Sequence, residues 1–102
     1  MKSEADSKEE NLVQQIREQA KAVEELAGQA ARLYADEVEA VLNMQSSDPQ
    51  RIERCLDGIL DFCFDSRMLT LYKKLCRYYF EIDPESTASY VNAYRDMWDE
   101  RA

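Results

Sequence analysis

Asp57, Asp61 and Asp65 fall at i, i+4 and i+8. On one continuous helix that spacing puts three carboxylates on a single face. Such a ladder can lend oxygen ligands to a hard divalent cation, or form an acidic patch for a partner. Like charges at i,i+4 weaken a helix slightly, and Arg54 can offset Asp57 or Asp61 from the same surface. Glu24-Glu25 and Asp36-Glu37-Glu39 are further acidic clusters. No paired ExxH motif accompanies any of them, so neither a metal site nor a catalytic pair is expected.

Histidine is absent from the 102 residues. That removes Ser-His and Cys-His nucleophile activation, and histidine acid–base work at neutral pH. It also removes HExxH and other histidine-containing metal sites. Two glycines cannot build a phosphate-cradling loop, so a nucleotide-dependent enzyme is not expected. Cys55, Cys63 and Cys76 are odd in number and match neither CxxC nor a zinc spacing. Cys55 and Cys63 share one helix face, too far apart to bridge. All three read as reduced core residues of a cytoplasmic chain; a redox-active, exposed Cys76 is the alternative.

Aromatic side chains offer a second kind of chemistry. In Arg77-Tyr78-Tyr79-Phe80 each residue turns a helix by about 100°, so three consecutive rings cannot all face one core. Tyr79 follows Tyr72, Leu75 and Cys76 and is expected inside. Tyr78 and Phe80 point elsewhere, either into a thick core or into an interface with Tyr94 and Trp98, since tyrosine and tryptophan are favoured anchors there. Asp57, Asp61, Asp65, Tyr78, Phe80 and Trp98 form the candidate partner surface.

Four helices must position these groups. From 8 to 44, Leu12, Ile16, Ala20, Val23, Ala27, Ala30, Tyr34, Val38 and Val41 step by three or four. Residues 1–7 are polar and expected to fray. Asp48-Pro49 is a cap followed by a first helical residue, opening a helix over 48–64 whose apolar face is Ile52, Cys55, Leu56, Ile59, Leu60 and Cys63. Ser66 is the expected cap of a third helix, 66–82, apolar round much of its circumference and so expected to have neighbours on several sides. Asp83-Pro84 opens the fourth, 84–100, with Ala88, Val91, Tyr94, Met97 and Trp98 inward and Tyr90 at the border. The expected fold is one all-α domain, a small bundle of about four helices with a long first helix.

That first helix would be roughly 50 Å long, and its neighbours about 25 Å each. Either it breaks near Gly28, or its first half lacks cover within the chain. Leu12, Ile16, Ala20, Val23 and Ala27 are therefore the candidate self-association stripe. Their spacing averages near 3.6, so an extended heptad coiled coil is not demanded.

The net charge is −8. Residues 1–47 carry 5 basic and 10 acidic side chains, and residues 48–102 carry 8 and 11. Neither half supplies the basic stripe of a nucleic-acid binder or of a protein held on anionic membranes. The first ten residues contain no apolar signal region, and no stretch has the length of a membrane span.

The stretch Tyr79-Phe80-Glu81-Ile82-Asp83-Pro84-Glu85-Ser86-Thr87-Ala88-Ser89-Tyr90 resembles the join between tetratricopeptide repeats. The two Asp-Pro steps stand 35 residues apart, laying Leu56 over Val91, Ile59 over Tyr94 and Cys63 over Trp98. The likeness departs from the family at Gly58, one place from where the repeat's glycine belongs, and at Leu71, which replaces a small residue. It implies a helix-pair repeat and a peptide-binding scaffold.

Together these features lead to a non-enzymatic interaction or regulatory subunit, a cytoplasmic homodimer with an acidic surface for a second protein carrying a basic patch. It needs no cofactor and no metal, and binds neither nucleic acid nor membrane. An acidic mimic of DNA that occupies a basic nucleic-acid-binding protein is the alternative.

Overall fold

The computed structural model describes the backbone of residues 4–99 and the side chains of 7–99. The described residues form four helices, α1 (Glu4–Asn43), α2 (Pro49–Leu60), α3 (Ser66–Phe80) and α4 (Pro84–Trp98). The expected all-α bundle with a long first helix is the fold observed. Of the segment expected to fray, residues 4–7 are helical, since Glu4 and Ala5 are good helix formers and no glycine or proline stands there to stop one. Residues 1–3 and 100–102 lie outside the described residues.

α1 does not break at Gly28. A single glycine costs a helix only about 1 kcal/mol, and Ala27, Ala30 and Ala31 around it are buried. The helix stops instead at Gln45, the one non-glycine residue with positive φ (50°) among the described residues. There the Ser46 N–H donates to Val41 O at 3.0 Å and the Gln45 N–H to Leu42 O at 3.2 Å. These bonds satisfy carbonyls the last turn would otherwise leave open.

α2 starts as expected, the Asp48 carboxylate accepting from the Gln50 N–H at 3.1 Å. It ends four residues early, at Leu60. The Phe62, Cys63 and Asp65 N–H groups bond back three residues, tightening the chain into a turn. Asp65, not Ser66, then caps α3, its carboxylate accepting the Arg67 and Met68 N–H groups. Aspartate outperforms serine here because Arg67 also closes a two-pronged ion pair on it, at 2.7 and 3.0 Å. α3 is the central element, touching α1, α2 and α4. Its neighbours on several sides account for an apolar surface wider than one stripe.

The core joins Val38 and Val41 of α1, Ile52, Leu56 and Ile59 of α2, and Met68, Leu75 and Tyr79 of α3. α4 is turned relative to expectation. Its covered side runs through Thr87, Tyr90, Tyr94 and Trp98, whereas Ala88, Val91 and Met97 are exposed. Polar hooks decide this register. Tyr72 donates to Tyr90 O at 2.6 Å, Tyr90 donates to the Asp57 carboxylate at 2.9 Å, and Trp98 Nε1 donates to Leu60 O at 2.8 Å. The 35-residue likeness is consequently not one of environment: Leu56 is fully buried, and its counterpart Val91 is 37% exposed.

The molecule is long. Its radius of gyration is 18.5 Å and its extents are 65 × 29 × 18 Å. A compact chain of this length has a radius of about 13 Å. The difference lies in α1, whose first half extends beyond the other helices.

Candidate functional site

Every side chain from Ser7 to Leu26 is exposed. At 1.5 Å per residue these twenty residues form a bare helical arm about 30 Å long. Leu12, Ile16, Val23 and Leu26 on it are 57%, 56%, 48% and 55% exposed. Ala20 is exposed with them. Ala27 belongs elsewhere: it is wholly buried inside its own chain, so the free stripe stops just before it. The stripe nevertheless continues in line into the core. Stepping onward by three and four from Val23 leads through Ala27, Ala30, Tyr34, Val38 and Val41, the side of α1 covered by α2 and α3. One apolar face is thus covered over its second half and open over its first.

Most charges on the arm lie away from the stripe. Between Leu12 and Ala27 the charged residues are Arg17, Glu18, Lys21, Glu24 and Glu25. At about 100° per residue Glu18, Lys21 and Glu25 fall opposite the stripe, while Glu24 and Arg17 lie at its edge on the Ala20 side. Val13 and Gln19, the positions next to the stripe on its two sides, are uncharged, and Glu24 borders it beside Ala20. Leu26 and Leu33, the latter 69% exposed, widen the apolar side toward one edge.

The second set of candidate residues is dispersed. Asp57 accepts the Tyr90 hydroxyl, Asp61 is the C-cap of α2, and Asp65 caps α3. Because α2 ends at Leu60, the three carboxylates do not form a ladder on one helix. The Arg67 guanidinium hydrogen-bonded to Asp65 holds that carboxyl down at about 2. Tyr78 is half-buried and donates to Ser46 O at 2.7 Å, pinning the α1–α2 linker to α3. Trp98 is half-buried beneath Phe64, ring centres 5.8 Å apart. Phe80 is 55% exposed and separate from it. Asp65, Tyr78 and Trp98 therefore perform internal tasks. Glu53, which sequence reasoning passed over, is an acceptor in that interior: the Tyr79 hydroxyl donates to it, and the Tyr90 hydroxyl lies 3.5 Å away. Only its position one turn before Asp57 on the polar edge of α2 hinted at this.

The three cysteines are unpaired and buried. Burial, with Cys76 nearby, pushes the Cys63 thiol up to about 12, and burial alone pushes Cys76 up to about 11. Cys76 is thus a core thiol and not an exposed redox group. Among the described residues no three histidine, cysteine, aspartate or glutamate side chains are grouped to hold a metal ion. No helix among them is long and apolar enough to cross a membrane. A groove of about 220 Å³ lies between α3 and α4, lined by Leu69, Tyr72, Cys76, Val91 and Tyr94 with Lys73 and Arg95. No family model, curated protein or solved structure matches the chain.

Proposed function

We propose that this protein is a non-enzymatic interaction module that self-associates through the first half of α1 and carries an acidic surface toward a second protein. The observation that carries the reading is the open apolar stripe Leu12, Ile16, Ala20, Val23 on an arm left exposed among the described residues. An isolated helix of this length is marginal in water, because tertiary packing supplies most helical stability. A second helix on the stripe gives the arm what α2 and α3 give the rest of α1. Each large side chain it shields contributes about 1 kcal/mol, half of what full burial is worth.

The chemistry of the module is complementarity of shape and charge. Cytoplasmic placement suits its three reduced thiols. Mimicry of DNA is the weaker reading. It needs carboxylates spaced like phosphates over one continuous face, and Asp48, Asp65 and Asp83 cap helices while Asp57 and Glu53 accept phenols.

Light scattering on the full chain tests the reading. The expected mass is about 24 kDa, twice the 11.9 kDa of one chain. Ile16→Glu and Val23→Glu, each placing a charge on the stripe, are expected to return 11.9 kDa. A full chain that stays at 11.9 kDa at every accessible concentration overturns self-association.

A further inference from the structure

We infer that the groove between α3 and α4 binds a small amphiphilic acid, a straight apolar chain of about eight carbons ended by a carboxylate. This site is separate from the arm, and filling it requires no association of chains.

Like spacing on two helices builds the groove. Leu69, Tyr72 and Cys76 stand at i, i+3 and i+7 of α3, and Val91 and Tyr94 at i and i+3 of α4. Such steps keep side chains on one face, so each helix supplies one apolar wall. The Tyr72 and Tyr94 rings meet with centres 6.1 Å apart. Tyr72 spends its hydroxyl on Tyr90 O, whereas the Tyr94 hydroxyl makes no hydrogen bond to another described residue. It is a spare donor on the wall.

Charge selects the head. Lys73 follows Tyr72, and Arg95 follows Tyr94. The ring contact therefore sets the two cations on opposite walls, within about one helical turn of each other. Both are exposed, and neither is in an ion pair with another described residue. Asp99 also lines the groove, leaving two positive charges to one negative. The surroundings have the same sign. α3 carries Arg67, Lys73, Lys74 and Arg77 and no carboxylate, in a chain of net charge −8. Arg67 is taken by Asp65, and the other three are exposed. A carboxylate set between Lys73 and Arg95 gains charge-assisted hydrogen bonds from both. A neutral or cationic head gains neither.

Size selects the body. The groove holds about 220 Å³, and ordinary ligand pockets begin near about 300 Å³. A water takes about 30 Å³ and a methylene is of similar size, so roughly seven or eight such groups fit. A partner's helix, at least about 10 Å across, is too thick for it. One alkyl chain is not.

The test is a titration of the full chain with octanoate, below its micelle concentration, followed by amide shifts in two-dimensional proton–nitrogen spectra. Saturable shifts confined to 69–76 and 91–95 are expected, with octan-1-ol and octylammonium binding about tenfold more weakly. Butanoate, four methylenes shorter, is also expected to bind about tenfold more weakly. Lys73→Gln with Arg95→Gln should weaken octanoate about tenfold and leave octan-1-ol unchanged, with helicity checked by circular dichroism. Val91→Trp, at a residue 37% exposed, fills the groove without entering the core and should abolish the shifts. Octan-1-ol binding as tightly as octanoate overturns the anionic head. Shifts spread along α1, or none at all, overturn the site. An acetylated and amidated peptide of alternating leucine and glutamate that displaces octanoate at lower concentration overturns the small acid as occupant.

Discussion

The Tyr34 hydroxyl occupies the space a Cβ at residue 58 would need. Gly58 is thus where Tyr34 of α1 rests on α2, its missing side chain letting the phenol lie across the helix. Gly58→Ala is expected to destabilise the fold by about 1–3 kcal/mol through overpacking, although alanine is the better helix former. Urea unfolding measures this. Adding Tyr34→Ala should return much of the loss, a non-additivity that marks the two as a contact. Equal costs for Gly58→Ala with and without Tyr34 would contradict the crossing.

Asp65 ties the turn after α2 to the start of α3. Its carboxyl, held at about 2 by Arg67, lies below the ordinary value of 3.8. A depressed carboxyl favours the folded state above its unfolded pKa, and the contribution disappears as pH falls from about 4 through about 2. Asp65→Ala is expected to cost about 1 kcal/mol, typical of a lost cap. Asp65→Asn should keep the backbone bonds, lose the ion pair, and flatten the acid limb of the stability profile.

The buried thiols act at the other end of the pH scale. Cys63 and Cys76, raised to about 12 and about 11, keep their protons in the folded chain at pH values where an unfolded thiol releases them. Their contribution is complete below the ordinary thiol value near 9 and is lost as pH rises toward 11–12. Reaction with an aromatic disulfide reagent at neutral pH should be slow and limited by opening of the fold. Three thiols reacting at the rate of a free cysteine would contradict their burial.

Much of this architecture is readable in the chain alone. Asp48-Pro49 and Asp83-Pro84 start helices because aspartate accepts end N–H groups and proline tolerates a first turn. The apolar steps on α2 and α3 mark their inner faces, and Tyr79 is inside as its neighbours imply. Local pattern fails where two local signals compete. Asp65 and Ser66 can both cap α3, and the guanidinium of Arg67, two residues on, favours Asp65. α4 has two plausible faces. Tyr90 and Trp98 choose between them because Asp57 and the Leu60 carbonyl stand within reach, on an element some thirty residues away. Likewise, nothing local says whether a glycine such as Gly58 faces solvent or the Tyr34 ring.

Backbone geometry and side-chain spacing are enough to give four helices, the starts of α2 and α4, and an apolar stripe along α1. How that stripe is divided depends on packing between elements far apart in the chain. The short α2 and α3 cover α1 from Ala27 onward and leave Leu12, Ile16, Ala20 and Val23 in water. The reason is one of length: burial depends on which distant elements reach a surface, and elements of twelve and fifteen residues cannot shield one of forty.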